Sequence, residues 1–349
     1  MRSPVRSALI AVLLALAAMP AAASEAVRID DKFNAASMAP SLLKPQSDGN
    51  KTVRGLIRVA IGAFDVEFVT RGSASAGDTR ISPAGFSGSR PGANVMSLAG
   101  VSEADMQIIV DQVHARFVRE LRSTGLDVVP TSQIMNTSTF RKLADANKAA
   151  PYNKGGSHES ATVVTAEGRP VSGASLLAKG GGSAMEGFSA IASSLITGRE
   201  LAQETQATVI NVRMVVRFVE QAGGNASLFS RVAGTPSEAS KISPTVAAGE
   251  TKIHIFTAQG GGSFTLQLPV QMDTDAFAGV KDRMSPGSKA TGVGLAVLSF
   301  ALGKNDSATI TQFDAVADPQ RYRELVSAGL ARIGSMMVEQ LKTLRREVE

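Results

Sequence analysis

Apolar and polar residues alternate along several short stretches of this chain, which is the pattern of β-strands with one buried face. Leu56–Val69 has this period of two, but its phase slips by one residue near Gly62. Because such a slip moves side chains to the opposite face, we predict a β-bulge or sharp bend at Gly62-Ala63. Thr208–Val219 is the clearest strand, since its even positions are all apolar.

Other stretches follow the helical spacing of three and four residues. One helix begins at Ser102, with Asp105 three residues later as in a capping box, and ends at Gly125. The chain closes with an amphipathic helix of about eight turns that begins at Asp318-Pro319. We interpret its apolar stripe as core; an oligomer seam is the alternative, because the spacing resembles a heptad. Shorter helices are predicted over 137–149 and 184–206.

The order of these elements predicts an α+β fold with a mixed sheet. The strand 56–69, the helix after Ser102 and a short strand at Leu126–Pro130 form a strand-helix-strand crossover unit. Two β-hairpins are predicted in the C-terminal half, 251–258 with 263–272 and 293–302 with 307–313, and Pro269 places its strand at an edge. We expect both halves to share one sheet, with a two-domain split near residue 200 as the alternative.

The N-terminal residues predict a signal peptide over 1–23. Arg2 and Arg6 precede an apolar run from Ala8 to Met19, and small residues follow up to Ala23, where we expect cleavage. The run is shorter than the ~20 residues of a spanning helix, so a retained membrane anchor is the less favoured alternative. The protein is therefore expected to be exported, either to the periplasm or to the outer membrane.

The remaining chain divides into a polar lead-in over 24–52 and an α+β domain over 53–349. Three segments of this domain are rich in small or polar residues and are predicted to be flexible insertions, at 72–100, 150–183 and 223–250. The first of these insertions is interpreted as a linker in preference to a binding loop.

Composition excludes several kinds of chemistry. The 349 residues include no Cys, so disulfides, thiolate metal sites and cysteine nucleophiles are excluded, and so is the lipid anchor of a lipoprotein. The 36 Lys and Arg against 31 Asp and Glu give a small and dispersed positive surplus, which with export argues against nucleic acid as a partner. We predict no catalytic, cofactor-binding or metal-binding residues.

The three histidines are the first places to look for chemistry. His114 follows the core position Val113, and we interpret it as a flank or surface residue in preference to a general base. His158 with Glu159 lies in a Gly-rich loop and lacks a partner at metal-ligand spacing. His254 lies between Ile253 and Ile255 and is interpreted as a solvent-side strand residue.

Charged pairs on strands are the second place. Asp65 and Glu67 share one strand face and could do acid–base work, but a solvated face is the preferred interpretation. Arg213 and Arg217 form a similar strip that could bind an acidic partner. We favour ion pairs with carboxylates on a neighbouring strand.

The element order resembles the periplasmic domain of the CsgG-like curli-secretion family, which is similar to the N-terminal domain of TolB. The resemblance covers residues 56–134 and extends to 184–222. It is carried by the strand Ile57–Phe64, the helix end Arg116–Gly125, the strand Leu126–Pro130 with Ser132–Ile134, and Ala207–Val212. The chain departs from the family in having no cysteine for a lipid anchor and no Trp for an aromatic girdle.

This resemblance implies a non-enzymatic, homo-oligomeric envelope protein without a cofactor. We expect a periplasmic accessory of secretion or envelope assembly whose partner is an envelope or secreted protein. One alternative is an outer-membrane pore subunit whose spanning hairpins come from 150–183 and 223–292. Another is a periplasmic hydrolase with an unrecognised site, built from His158 or from Asp65 with Glu67.

Overall fold

The computed structural model describes residues 26–30, 32–46, 53, 55–75, 93–155, 159–176, 196–218, 242–282 and 311–346. These residues form a mixed α+β fold, which confirms the predicted class. The strands are β1 (Val27–Arg28), β2 (Leu43–Pro45), β3 (Arg58–Ser75), β4 (Ala93–Ala99), β5 (Asp127–Val128), β6 (Tyr152–Lys154), β7 (Glu159–Thr165), β8 (Thr208–Arg217), β9 (Thr245–Val246), β10 (Lys252–Phe256), β11 (Gly261–Leu266), β12 (Val270–Gln271), β13 (Phe277–Asp282) and β14 (Thr311–Ala317). The helices are α1 (Ala35–Leu42), α2 (Glu103–Ser123), α3 (Thr131–Met135), α4 (Ser138–Ala146), α5 (Gly173–Leu176), α6 (described over 196–205) and α7 (Pro319–Arg346).

Strand β3 is the centre of the sheet, because its 18 residues are long enough to pair with four other strands. One edge of β3 pairs in parallel with β8 and then antiparallel with β4. The other edge pairs in parallel with β5 and then antiparallel with β7. The main path is β1-β12-β9-β8-β3-β4-β14-β13; β10, β11 and β2 continue from β8, and β6 pairs with β7. The predicted crossover unit is thus confirmed as β3, α2 and β5, and strands from both halves of the chain share the sheet.

The predicted bulge in β3 is also confirmed. Its pairing with β8 shifts register between Ile61 and Ala63. Gly62 lies at the shift, where an added Cβ would come within 2.6 Å of Asn211 Oδ1. From Phe64 onward, the even positions of β3 face the helices α2 and α7 and the odd positions face the opposite side of the sheet.

The main core lies between the sheet and the helices α2 and α7, which pack against each other. The predicted capping box of α2 is present, because Ser102 Oγ accepts from Asp105 N at 3.2 Å and Asp105 Oδ2 accepts from Ser102 N at 2.9 Å. Asp318 caps α7 through Arg321 N at 2.8 Å. The apolar stripe of α7 is buried in this chain, as the core interpretation requires; its buried members are Tyr322, Val326, Leu330, Ile333, Met337, Leu341 and Leu344.

A smaller core covers part of the opposite face of the sheet. The helices α3, α4 and α6 contribute Ile134, Phe140 and Leu201, which pack on Val209 and Phe256 of the strands. Helix α6 comes so close to β10 that a Cβ on its residue 198 would lie 2.5 Å from the Phe256 ring. Helices therefore cover both faces of the sheet at this end.

Regular structure extends into all three segments that the sequence analysis interprets as flexible insertions. Strand β3 continues to Ser75 and β4 occupies 93–99; β6, β7 and α5 lie within 150–183; and β9 lies within 223–250. These strands are held by backbone hydrogen bonds, which form irrespective of side-chain size, so segments rich in small residues can still pair in the sheet. The rest of each segment, 76–92, 156–158, 177–183 and 223–241, lies outside the described residues.

The lead-in is part of the fold as well. Its helix α1 packs on α7, and β2 pairs with β11. Its elements are only two to eight residues long, which is too short to give a clear hydrophobic period in the sequence. The predicted signal peptide lies outside the described residues.

The two predicted hairpins have different outcomes. The first is confirmed as β10 with β11, although its second strand stops at Leu266 and the chain resumes pairing as β12 beyond Pro269. This break is consistent with proline's missing amide hydrogen. The second, 293–302 with 307–313, lies outside the described residues except for 311–313, which belong to β14; that strand pairs antiparallel with β13 and in parallel with β4.

We expect Gly62→Ala to destabilise the protein by about 1–3 kcal/mol, since the new methyl would overlap Asn211 and Val209. Gly72→Ala is the matched control on the same strand, because no atom lies within 4 Å of its added Cβ. Urea unfolding of both variants measures the free energies of unfolding. Equal destabilisation by the two substitutions would contradict the close contact at the bulge.

Candidate functional site

A row of polar side chains crosses the sheet beside the smaller core. Because residues paired in register share a face, the pairings of β7, β3, β8, β10 and β11 place these side chains next to one another. The row consists of Thr165, Asp65, Arg213, Lys252 and Thr265. The structure thus brings Asp65, Glu67, Arg213 and His254 together on one face, and we treat them as the candidate site.

Asp65 is fully buried in this row. Its Oδ2 accepts hydrogen bonds from Ser172 Oγ at 2.5 Å and Ser172 N at 3.1 Å. Burial raises the pKa of Asp65, although the bonds from Ser172 and Ser175 and the charge of Arg213 oppose this shift. The carboxyl group therefore holds the segment around α5 against the sheet.

Glu67 is also buried, with an exposed fraction of only 4%. Lys154 Nζ donates to its Oε1 at 3.0 Å, and Arg213 Nη2 donates to its Oε2 at 2.7 Å. Both carboxylate oxygens are therefore occupied by cations. The solvated-face interpretation of Asp65 and Glu67 is wrong, because β3 is internal to the sheet and its polar face is enclosed.

Arg217 forms a second ion-pair cluster on the same strand as Arg213. Its guanidinium donates to Glu159 on β7 and to Glu250, with Nη2 lying 3.1 Å from Glu250 Oε1. Burial alone would disfavour the charged form, but the two carboxylates raise the pKa of Arg217 above its usual value. The prediction of ion pairs with carboxylates on a neighbouring strand is confirmed for Arg213, whose partner Glu67 lies on β3; Arg217 also pairs with carboxylates, but these lie on β7 and after β9.

His254 and Lys252 lie at the other end of the polar row. His254 lies on the face opposite Ile253 and Ile255, as predicted, but it is only partly exposed, because its ring stacks on Phe256 with centroids 6.2 Å apart. Burial, with Lys252 and Arg213 nearby, lowers the pKa of His254 to about 4. Burial and Arg213 also lower the pKa of Lys252.

Arg169 fills a gap in the edge of β3. This edge is paired with β5 as far as Val59 and with β7 from Asp65 onward. Arg169 lies opposite the unpaired interval and donates to the Ile61 carbonyl oxygen through Nη1 and to Thr131 Oγ1 through Nη2 at 2.8 Å. The guanidinium thus satisfies a backbone acceptor that no strand reaches.

His114 is buried near Arg169 and Glu167, with an exposed fraction of only 3%. Its interpretation as a flank or surface residue is therefore wrong. Its ring meets Phe64 edge-on at 5.1 Å, and its Nδ1 lies 3.7 Å from Glu167 Oε1. Burial and the charge of Arg169 lower the pKa of His114 to about 4, although Glu167 opposes the shift. His114 therefore acts as a neutral core side chain at pH 7.

Sequence reasoning missed several members of this arrangement, Lys154, Arg169, Ser172 and Lys252 among them. Arg169 and Ser172 lie in an irregular segment after β7, and no periodic pattern marks them. Lys252 and His254 alternate with Ile253 and Ile255, so the sequence indicates that they share the face opposite the two isoleucines. It does not indicate which residues of the adjacent strands lie beside them. His158 lies outside the described residues.

Comparison with known proteins gives no match, whether to a protein family, a curated protein or a solved structure. Within the described ranges, no group of three or more His, Asp or Glu side chains is placed to hold a metal ion. None of the helices in the described ranges has the length and apolar character needed to cross a membrane.

We expect Glu67→Gln to destabilise the protein by about 3–5 kcal/mol, because Lys154 and Arg213 would lose their shared buried carboxylate. Glu324→Gln is the control, since its ion pair with Arg321 is exposed and contributes at most about 1 kcal/mol. Denaturant unfolding at pH 7 measures both. A Glu67 variant as stable as the Glu324 variant would refute the structural role of the buried pair.

Acidification should destabilise the protein through its histidines. A buried neutral histidine stabilises the fold above its unfolded pKa of about 6.5, and this contribution is lost as pH falls towards the folded value of about 4. His114→Gln should therefore lose about 2 kcal/mol less than the wild type between pH 7 and pH 5, with His254 left in place as a common background. Unfolding curves at both pH values test this, and identical losses would contradict it.

Proposed function

We propose that this chain is an exported, homo-oligomeric envelope protein that acts by binding, as an accessory of secretion or envelope assembly. The observation that carries the proposal is the arrangement around β3. Strands β5 and β8 flank it in parallel, and α2 lies across its apolar face. This is the arrangement expected from the resemblance to the CsgG-like family, and the order of residues in the N-terminal 23 supports export.

The buried charges are consistent with a binding role. Glu67 and Arg217 are each engaged by two oppositely charged side chains, and Asp65 anchors the segment around α5. These groups stabilise the sheet in their present positions. They support the proposal because they give Asp65 and Glu67 a structural role, so that acid–base catalysis is not needed to account for this carboxylate pair.

A pore subunit is the second candidate, and a specific feature of the sheet favours it. Strands β3 and β4 form one antiparallel pair and β13 and β14 another, and β4 pairs in parallel with β14. The registers Ser75 with Ala93, Asn94 with Thr311 and Phe313 with Asp282 place all four strand ends at one end of the sheet. The described parts of 150–183 and 223–292, the segments expected from the sequence to supply the spanning hairpins, pair within the sheet instead. The segments that connect to the four strand ends are 76–92 and 283–310, and adjacent membrane-entering hairpins would require such an arrangement.

Fractionation of cells that express the full chain with a C-terminal tag tests the proposal. We expect cleavage near Ala23, measured by intact mass, and an oligomer by size exclusion with light scattering. Recovery of that oligomer in the soluble periplasmic fraction supports the accessory role. Recovery in the outer membrane, with detergent needed for release, supports the pore subunit.

The control is a variant with Leu13→Arg and Leu14→Arg, which interrupts the apolar run of the predicted signal peptide. This variant should remain uncleaved and stay in the cytoplasm. A wild-type chain that is uncleaved, or a strict monomer that captures no envelope protein, would overturn the proposed function.

A further inference from the structure

Lys252 and His254 are hydrogen-bond donors that the described part of the chain leaves unused. They lie two residues apart on the same face of β10, in register with Arg213 and Asn211 of β8. Neither side chain forms a hydrogen bond or an ion pair with any part of the chain that the structure describes. Both are partly exposed, so a small solute can reach them.

The cations around this pair share their carboxylate partners with other cations. Arg213 shares its one carboxylate partner, Glu67, with Lys154. Asp65, the register partner of Arg213, is bound by Ser172, and burial raises its pKa. Glu250 also acts on Lys252, but it is engaged by Arg217, just as Glu67 is shared by Lys154 and Arg213. Lys252 and Arg213 are therefore neighbouring cations without a carboxylate of their own among the described residues, an arrangement that a bound anion would stabilise.

Two buried polar atoms of β8 lack partners in the described part of the chain. Arg213 Nε is a donor without a partner among the described residues, and Asn211 Oδ1 is an acceptor that lies against Gly62 of β3. Buried polar groups almost always have a partner in folded proteins, so an unsatisfied buried donor indicates a ligand or ordered water. Arg213 thus retains a donor that Glu67 does not use.

We propose that Lys252, His254 and Arg213 form a binding site for a phosphate group, either as the free ion or as a monoester. The donors come from three side chains on two strands, which suits the three outward oxygens of a phosphate better than the planar oxygens of a carboxylate. A phosphate dianion also neutralises both cations, whereas a carboxylate neutralises one. The neutral imidazole of His254 adds a donor without adding charge.

Calorimetric titration of the full chain with inorganic phosphate at pH 7.5 tests the site, with glycerol phosphate as the monoester and acetate as the carboxylate. We expect phosphate to bind and acetate not to compete with it. Tighter binding of the ester than of the free ion would identify an organic phosphate as the ligand. Lys252→Gln should weaken phosphate binding about tenfold or more, because it removes one charge-assisted hydrogen bond.

Lys142→Gln is the matched control, since Lys142 is exposed on α4. Imidazole NMR signals give a second readout, with His254 assigned from a His254→Gln variant. Bound phosphate should raise the pKa of His254 from about 4 and leave that of His114 unchanged. Absence of phosphate binding, equal binding of acetate, or unchanged binding by a folded Lys252→Gln variant would overturn the proposal.

Discussion

The register shift at Gly62 is the constraint on which the arrangement of the sheet depends. Before the shift, β3 aligns its side chains with β5 and the first residues of β8; after it, Phe64 and the following even positions meet the helices α2 and α7. The same shift turns Asp65 and Glu67 to the opposite face. A strand without it would place carboxylates in the main core, at a prohibitive desolvation cost.

Burial of those carboxylates organises the polar face. Each ionised group on a low-dielectric face needs a partner, and the neighbouring strands supply Lys154 and Arg213 for Glu67 and two carboxylates for Arg217. These bonds join β3, β6, β7 and β8 through side chains as well as through the backbone. At the β10 end of the row, Lys252 and His254 form no ion pair with the described residues, and this is the end at which we propose that an anion binds.

Length allows β3 to join two parts of the sheet. Its first two-thirds pair with β8, and its last residues pair with β4, which continues to β14 and β13. The part around β8 carries the helices and the polar row. The part formed by β3, β4, β13 and β14 has four strand ends at one end of the sheet. A binding role and a membrane role draw on different parts of this sheet, so both functional hypotheses are compatible with one fold.

The sequence by itself determined the α+β class, the crossover unit, the bulge at Gly62 and the capped helices, because periodicity and capping are local properties of the chain. It also indicated that Arg213 and Arg217 pair with carboxylates. Only the tertiary structure decided that Asp65, Glu67 and His114 are buried, that Arg169 fills the gap in β3, and that Lys252 lies beside Arg213. These facts depend on which strands become neighbours and in which register, and such contacts join residues up to about 150 positions apart, beyond the reach of any local pattern.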